Sequence, residues 1–144
     1  MLRPTLGEAS VVSGSMGAYD APKLLYKAFR MEQERHNATI LGGGSFGTAM
    51  ASILAANGHR VNLWVRDPET AAAINLDREN SRYLPGAELP DGVNATDSLQ
   101  EALDQASLVF VAIPSKAFVE VLRQAREWVP EDTLVISCTK GIYS

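Results

Sequence analysis

The chain has 144 residues, 46% hydrophobic and 21% charged, which suits one domain with a full core and fits neither a disordered nor a membrane-embedded protein. Its formal net charge of -4 argues against a general nucleic-acid binder, which carries a basic face, but leaves room for a small anionic ligand held by local donors. The single cysteine, Cys138, excludes an internal disulfide and a multi-cysteine metal site and is consistent with a reducing cytoplasm, no apolar run approaches the ~20 residues of a membrane span, and the N-terminus lacks the apolar stretch of a secretory signal.

Residues 1–36 read as a leader. The first ~19 are rich in Gly, Ser and Ala without periodicity, and a short amphipathic helix is expected from Asp20 to Glu34, with Pro22 in its first turn. Met31 is an alternative start. From residue 37 to 144 apolar strands alternate with helical patterns. Ala38 to Leu41 is the first strand. Ser45 to Asn57 follows as a helix whose apolar face is Phe46, Ala49, Met50, Ile53 and Leu54, ended at Gly58 by a left-handed turn. Val61 to Val65 is the second strand, after which Asp67 caps a helix opening on Pro68 and running to about Arg78. Asn80 to Gly92, with Pro85, Gly86 and Pro90, is an irregular connection leading to a short strand at Val93 to Ala95. Ser98 and Glu101 form a capping box for a helix to about Ala106.

Leu108 to Ile113 has the continuous apolarity of a central parallel strand, and Pro114 stops it. A helix from Ser115 to about Trp128 presents Phe118, Val119, Val121, Leu122 and Ala125, and Thr133 to Cys138 is a further buried strand. This rhythm predicts an α/β fold, a doubly wound parallel sheet of the Rossmann dinucleotide-binding type.

The chemistry is concentrated at Gly42, Gly44 and Gly47, a GxGxxG that leaves a strand and opens a helix. Gly42 permits the tight turn, Gly44 lets the backbone approach a pyrophosphate, and Gly47 lets the helix pack closely on the strand. Free N–H groups at the helix start and the helix dipole both favour an anion there. At the end of the second strand, where an acidic residue would read the ribose of NAD, stands Arg66, whose planar fork of donors suits the 2′-phosphate of NADP. The expectation is NADP(H) as the preferred cofactor, with NAD(H) also accepted. Cys138 reads as a small core residue, His36 and His59 as surface residues without a catalytic or metal pattern, and Trp64 and Tyr83 as packing. The run Tyr83 to Gly86 has no evident physical purpose from sequence.

Several segments together resemble the bacterial type of NAD(P)-dependent glycerol-3-phosphate dehydrogenase, from Ala38 to the end: the glycine turn continuing through Thr48 to Ala51, Leu63 to Asp67, Asn80 with Tyr83-Leu84-Pro85-Gly86, Ala112 to Ser115, and Thr139-Lys140-Gly141-Ile142. The resemblance implies an enzyme that, at full length, reduces dihydroxyacetone phosphate to sn-glycerol 3-phosphate for glycerophospholipid synthesis in the cytoplasm. It implies cofactor contacts at Ser45, Phe46, Arg66 and Pro114, and a place for Lys140 beside both nicotinamide and substrate. A lysine at a strand's carboxyl end can attract the substrate's oxygens and polarise the carbon that accepts hydride. The resemblance also implies a second, all-helical domain that completes the site, supplies a homodimer contact and is missing from this sequence, so the chain alone is expected to lack turnover. A related reductase of the 2-hydroxy acid or ketopantoate type and a stand-alone nucleotide-binding module remain as alternatives.

Overall fold

A computed structural model describes residues 35–138. The helix expected from Asp20 to Glu34 and the segment Thr139 to Ile142, with Lys140, lie outside the described residues. The elements are β1 (Asn37–Leu41), α1 (Ser45–Ala56), β2 (Arg60–Trp64), α2 (Pro68–Asp77), β3 (Val93–Thr96), α3 (Leu99–Leu103), β4 (Leu108–Val111), α4 (Ser115–Ala125) and β5 (Leu134–Ser137). The strands form one sheet in the order β3-β2-β1-β4-β5, and every neighbouring pair is parallel. Ile40 at its centre is in register with Leu63 on one side and Phe110 on the other. The chain therefore runs outward from β1 through β2 to β3, returns across the sheet, and builds outward again from β4. The crevice between the carboxyl ends of β1 and β4 is the switch point at which such sheets take ligands.

Each face of the sheet carries its own core. On one face Ala38, Ile40, Val61, Leu63, Val93 and Ala95 pack with Ala51 of α1, Ala71 and Ile74 of α2, and Leu89. On the other, Leu41, Trp64, Val109 and Val111 pack with Ala102 and Leu103 of α3 and Val121 and Ala125 of α4. Complete burial of a side chain such as Ile40 or Leu63 contributes about 1.5–3 kcal/mol, so the central strands hold the sheet. Thr39 and Asn62 satisfy their polar atoms inside the sheet by donating to the carbonyl of Ala102 at the end of α3. The Asp67 carboxylate caps α2, accepting from the Thr70 amide at 3.0 Å and the Thr70 hydroxyl at 2.7 Å. That hydroxyl bond outweighs desolvation, the next-largest effect, and with lesser help from the amides of Thr70 and Glu69 holds the Asp67 carboxyl below its ordinary range.

The structure departs from the sequence expectation in several places. The face of α1 turned to the core is Gly47, Thr48 and Ala51, while Phe46 at 57% and Ile53 at 58% exposure point outward. The helix lies too close to β1 for large side chains beneath its first turns. The capping helix α3 ends at Leu103, short of Ala106, because Gln105 takes a left-handed conformation with φ of 56°. Ser98 accepts from the Glu101 amide at 3.2 Å, but the Glu101 carboxylate accepts from the Thr96 hydroxyl, so only half of the capping box forms. Strand β5 is the outer strand of the described sheet, and Leu134 and Val135 are exposed where a buried strand was expected.

A further departure concerns the histidines. His36 and His59 are a packed pair, with ring centroids 5.4 Å apart and the His36 amide donating to His59 Nδ1 at 3.1 Å. Desolvation, then the neighbouring His36, holds the His59 imidazole below its ordinary value of 6.5. The folded state thus takes up a proton at lower pH than the unfolded chain does. Its contribution to stability is complete above the unfolded value and is lost as pH falls through the folded one. We expect the thermal midpoint to fall as pH is lowered from 7.5 to about 5.5, with a shallower slope in His59→Phe; equal slopes in calorimetric scans would remove His59 as the source.

Candidate functional site

The site is built where β1 turns into α1. Gly42 has φ of +122°, and a Cβ there would collide with the Ala112 carbonyl at the end of β4. Its amide donates to the Trp64 carbonyl at 3.0 Å, so the turn is tied to β2 as well. A Cβ on Gly47 would strike the Gly42 carbonyl, which sets how close α1 lies to β1. Gly44 differs, since a Cβ there would meet nothing within 4 Å. Gly44 lines the cavity, and its missing side chain leaves open space there. Gly43, the residue between the motif positions, is equally constrained, because a Cβ would run into Cγ1 of the buried, stiff Val65 side chain. Sequence reasoning missed that role, and only the packing of the next strand reveals it.

Helix α1 begins at Ser45 with Gly44 as its N-cap residue, and no side chain caps it. The amides of its first turn carry the helix's positive end and have no partner within the helix. The Ser45 hydroxyl donates instead to the Tyr83 carbonyl at 2.8 Å, joining the turn to the loop after α2. This supplies a purpose that the run Tyr83 to Gly86 lacked. The amides of Tyr83 and Leu84 donate to the Asn80 carbonyl at 3.3 and 2.8 Å, and Gly86 provides a left-handed bend with φ of +78°. Tyr83, read from sequence as packing, stands partly exposed on the cavity wall with the Arg82 guanidinium 5.1 Å above its ring.

These elements enclose one side of a cavity of about 1000 Å³ at the carboxyl end of the sheet. Gly42, Gly44, Ser45, Phe46 and Gly47 line it, together with Arg66 and Pro114, so seven of the residues chosen from sequence come together. Arg66 is exposed, follows β2, and has no hydrogen-bond or ion-pair partner among the described residues. Pro114 is the N-cap residue of α4, opposite the glycine turn. Cys138 is half-buried at the cavity wall, its amide donating to the Val111 carbonyl at 2.8 Å, which makes it a wall residue more than a core one. Trp64 is buried and donates from Nε1 to the Asp97 carbonyl at 2.9 Å, as befits packing. Lys140 lies outside the described residues. No cluster of potential metal ligands occurs among the described residues, and none of their helices is long and apolar enough to cross a membrane.

A parallel sheet in this order, with a GxGxxG turn leaving its first strand at the switch point, defines the class of dinucleotide-binding domains of the Rossmann type. Within that class, the model of the NAD-dependent glycerol-3-phosphate dehydrogenase N-terminus matches residues 37–144, and the chain belongs to this family. It is 82% identical over 114 residues to a glycerol-3-phosphate dehydrogenase (NAD(P)+) of Alcanivorax borkumensis, covering 79% of this chain and 33% of the relative. It is 48% identical over 122 residues to the enzyme of the same name from Pseudomonas fluorescens, covering 85% and 34%. The crystal structure of glycerol-3-phosphate dehydrogenase from Coxiella burnetii superposes with a TM-score of 0.72 at 32% identity, over 75% of this chain and 33% of that one. The chain thus spans about a third of the length of the curated relatives it matches.

The second and third glycines of the motif should separate folding from binding. Gly47→Ala must push α1 off β1 and should cost at least about 1–3 kcal/mol, as overpacking does. Gly44 has φ of -74°, which alanine adopts freely, so Gly44→Ala should melt at or above the wild-type midpoint while binding a pyrophosphate-bearing nucleotide more weakly. Melts and titrations of both variants check this, and undiminished binding by Gly44→Ala would take the open side of the turn out of the site.

Proposed function

We propose that the chain is the cofactor-holding part of an enzyme that reduces dihydroxyacetone phosphate to sn-glycerol 3-phosphate, using NADP(H) in preference to NAD(H). The carrying observation is the turn itself: an uncapped helix start, open at Gly44, facing a cavity at the switch point. Oriented amides and a helix dipole suit a pyrophosphate there. The residues present fit a nicotinamide dinucleotide, which when bound supplies or accepts the hydride. Ser45, Phe46 and the three motif glycines would hold its pyrophosphate end, Arg66 its adenosine end, and Pro114 the opposite wall. Arg66 favours the 2′-phosphate because Asp67, its neighbour, is engaged by Thr70 and does not neutralise it. Lys140, a few residues beyond β5, is proposed to attract the substrate's anionic or carbonyl oxygen. The reaction belongs to glycerophospholipid synthesis in the cytoplasm, and a homodimer would form through sequence that the longer relatives possess.

Removing the Arg66 guanidinium should weaken NADPH by roughly ten- to a hundredfold, the range of a lost charge-assisted contact, and leave NADH nearly unchanged. Fluorescence titration of wild type and Arg66→Ala with both nucleotides tests this; equal NADPH affinity in the two proteins excludes Arg66 from the site. The chain as it stands should bind dinucleotide yet not oxidise NADPH with dihydroxyacetone phosphate, because catalysis needs the reacting atoms held within about 3.5 Å on both sides. Turnover near the ordinary ~10 per second would overturn that division of labour.

A further inference from the structure

Asn80 is the buried polar residue closest in sequence to the loop that walls the cavity. It is 2% exposed, and its side-chain amide donates to the Gly43 carbonyl at 2.9 Å and to the Thr48 hydroxyl oxygen at 2.8 Å. Thr48 is itself fully buried on α1, and its hydroxyl donates back to the Gly43 carbonyl at 3.4 Å. Both donors therefore converge on one carbonyl, that of the middle glycine of the turn. Burying an amide in this way is costly unless it is bonded, so these contacts fix a definite arrangement. The described peptides are all trans, and a trans peptide holds its C=O and N–H antiparallel. Fixing the Gly43 carbonyl toward Asn80 turns the Gly44 N–H to the side opposite Asn80.

We infer that Asn80 is a positioning residue for cofactor binding, which aims the Gly44 N–H at the pyrophosphate by holding the Gly43 carbonyl behind it. The inference rests on the reading of the glycine turn as the pyrophosphate site. Glycine on both sides of this peptide makes the restraint necessary, since without side chains the peptide can rotate at little steric cost. The same residue carries the loop that meets the turn from the other side. Its own carbonyl accepts from Tyr83 and Leu84, and the Tyr83 carbonyl accepts from Ser45. A single asparagine thus joins the amide that would face the ligand to the wall that bears Arg82 and Tyr83. Aspartate cannot replace it when ionised, because a carboxylate offers Gly43 an acceptor in place of a donor.

The test uses the chain, Asn80→Ala and the isosteric Asn80→Asp, titrated with ADP-ribose near pH 7.5 and followed by calorimetry and by amide NMR. Asn80→Asp keeps the shape of the side chain and serves where Asn80→Ala does not fold. The expected result is an affinity loss of about tenfold or more, with the free variant's Gly44 amide resonance displaced and the amides of β1, β2 and β4 in place. Affinity equal to wild type would overturn the inference. So would a loss with the Gly44 resonance unmoved, or one accompanied by shifts throughout the sheet, either of which assigns Asn80 to folding alone. Failure of the wild-type chain to bind ADP-ribose would overturn the pyrophosphate reading first and the inference with it.

Discussion

Helix α1 lies against β1 with no room for one methyl group at Gly47, and the site follows from that approach. A Cβ at Gly47 would strike the Gly42 carbonyl, so the helix start is pinned directly over the switch point between β1 and β4. Small residues must then line the underside of the helix, and they do: Gly47, Thr48 and Ala51 are buried. Larger apolar residues of the same helix are displaced to its flank or its outer side. Separately from that approach, the helix has no side-chain cap, because its N-cap residue is Gly44, where a Cβ would meet nothing. The packing at Gly47 thus brings the helix's free amides and the positive end of its dipole to the switch point, and the glycine at the N-cap leaves the space beside them open.

Charge is distributed locally in a way that the net value of -4 conceals. Arg66 and Arg82 both line the cavity, and the one acidic residue among the described lining residues, Asp67, is engaged in capping α2. Its carboxylate is held by the Thr70 hydroxyl and by two amides of α2. Among the described residues the carboxylate makes no ion pair with Arg66 beside it. The Arg82 guanidinium over the Tyr83 ring gains about 0.5–1 kcal/mol at an exposed site, enough to bias its position on the wall without a partner anion. An acidic chain can in this way present an electropositive crevice to a small phosphate-bearing ligand.

The order of strands and helices was legible because each depends on local pattern: apolar runs for β1 and β4, Asp67-Pro68 for the start of α2, Gly58 in a left-handed turn with φ of +91° after α1. Gly42, Gly44 and Gly47 were legible for the same reason. What periodicity could not reveal was the distance between layers. It assigned the apolar stripe Phe46, Ile53 to the core because a helical face looks the same whether the sheet lies near or far. Burial of β5 was misjudged likewise, since an apolar run does not say whether both faces are covered. Contacts distant in sequence were beyond pattern altogether: His36 with His59, Ser45 with Tyr83, and Gly43 with both Val65 and Asn80. The motif Asn80 to Gly86 was visible as a resemblance, but its physical reason exists only where the loop meets the turn.

A run of three glycines ought to be the least ordered stretch of the domain, because glycine loses the most conformational freedom on folding. Here it is restrained from four directions. The Gly42 amide is held by β2 through the Trp64 carbonyl, and the Ala112 amide bonds the Leu41 carbonyl at 2.8 Å, fixing β4 beside the turn. Val65 closes the space beside Gly43, and Asn80 holds its carbonyl. Trp64, Val65 and Ala112 themselves line the cavity beside the turn, whereas Asn80 is not among the lining residues and holds the Gly43 carbonyl from behind. Binding to such a turn does not require ordering it, and the entropy that a flexible glycine loop would lose at that moment has been offset in folding. Glycine here provides closeness of approach, while the surrounding strands and Asn80 provide the rigidity it lacks.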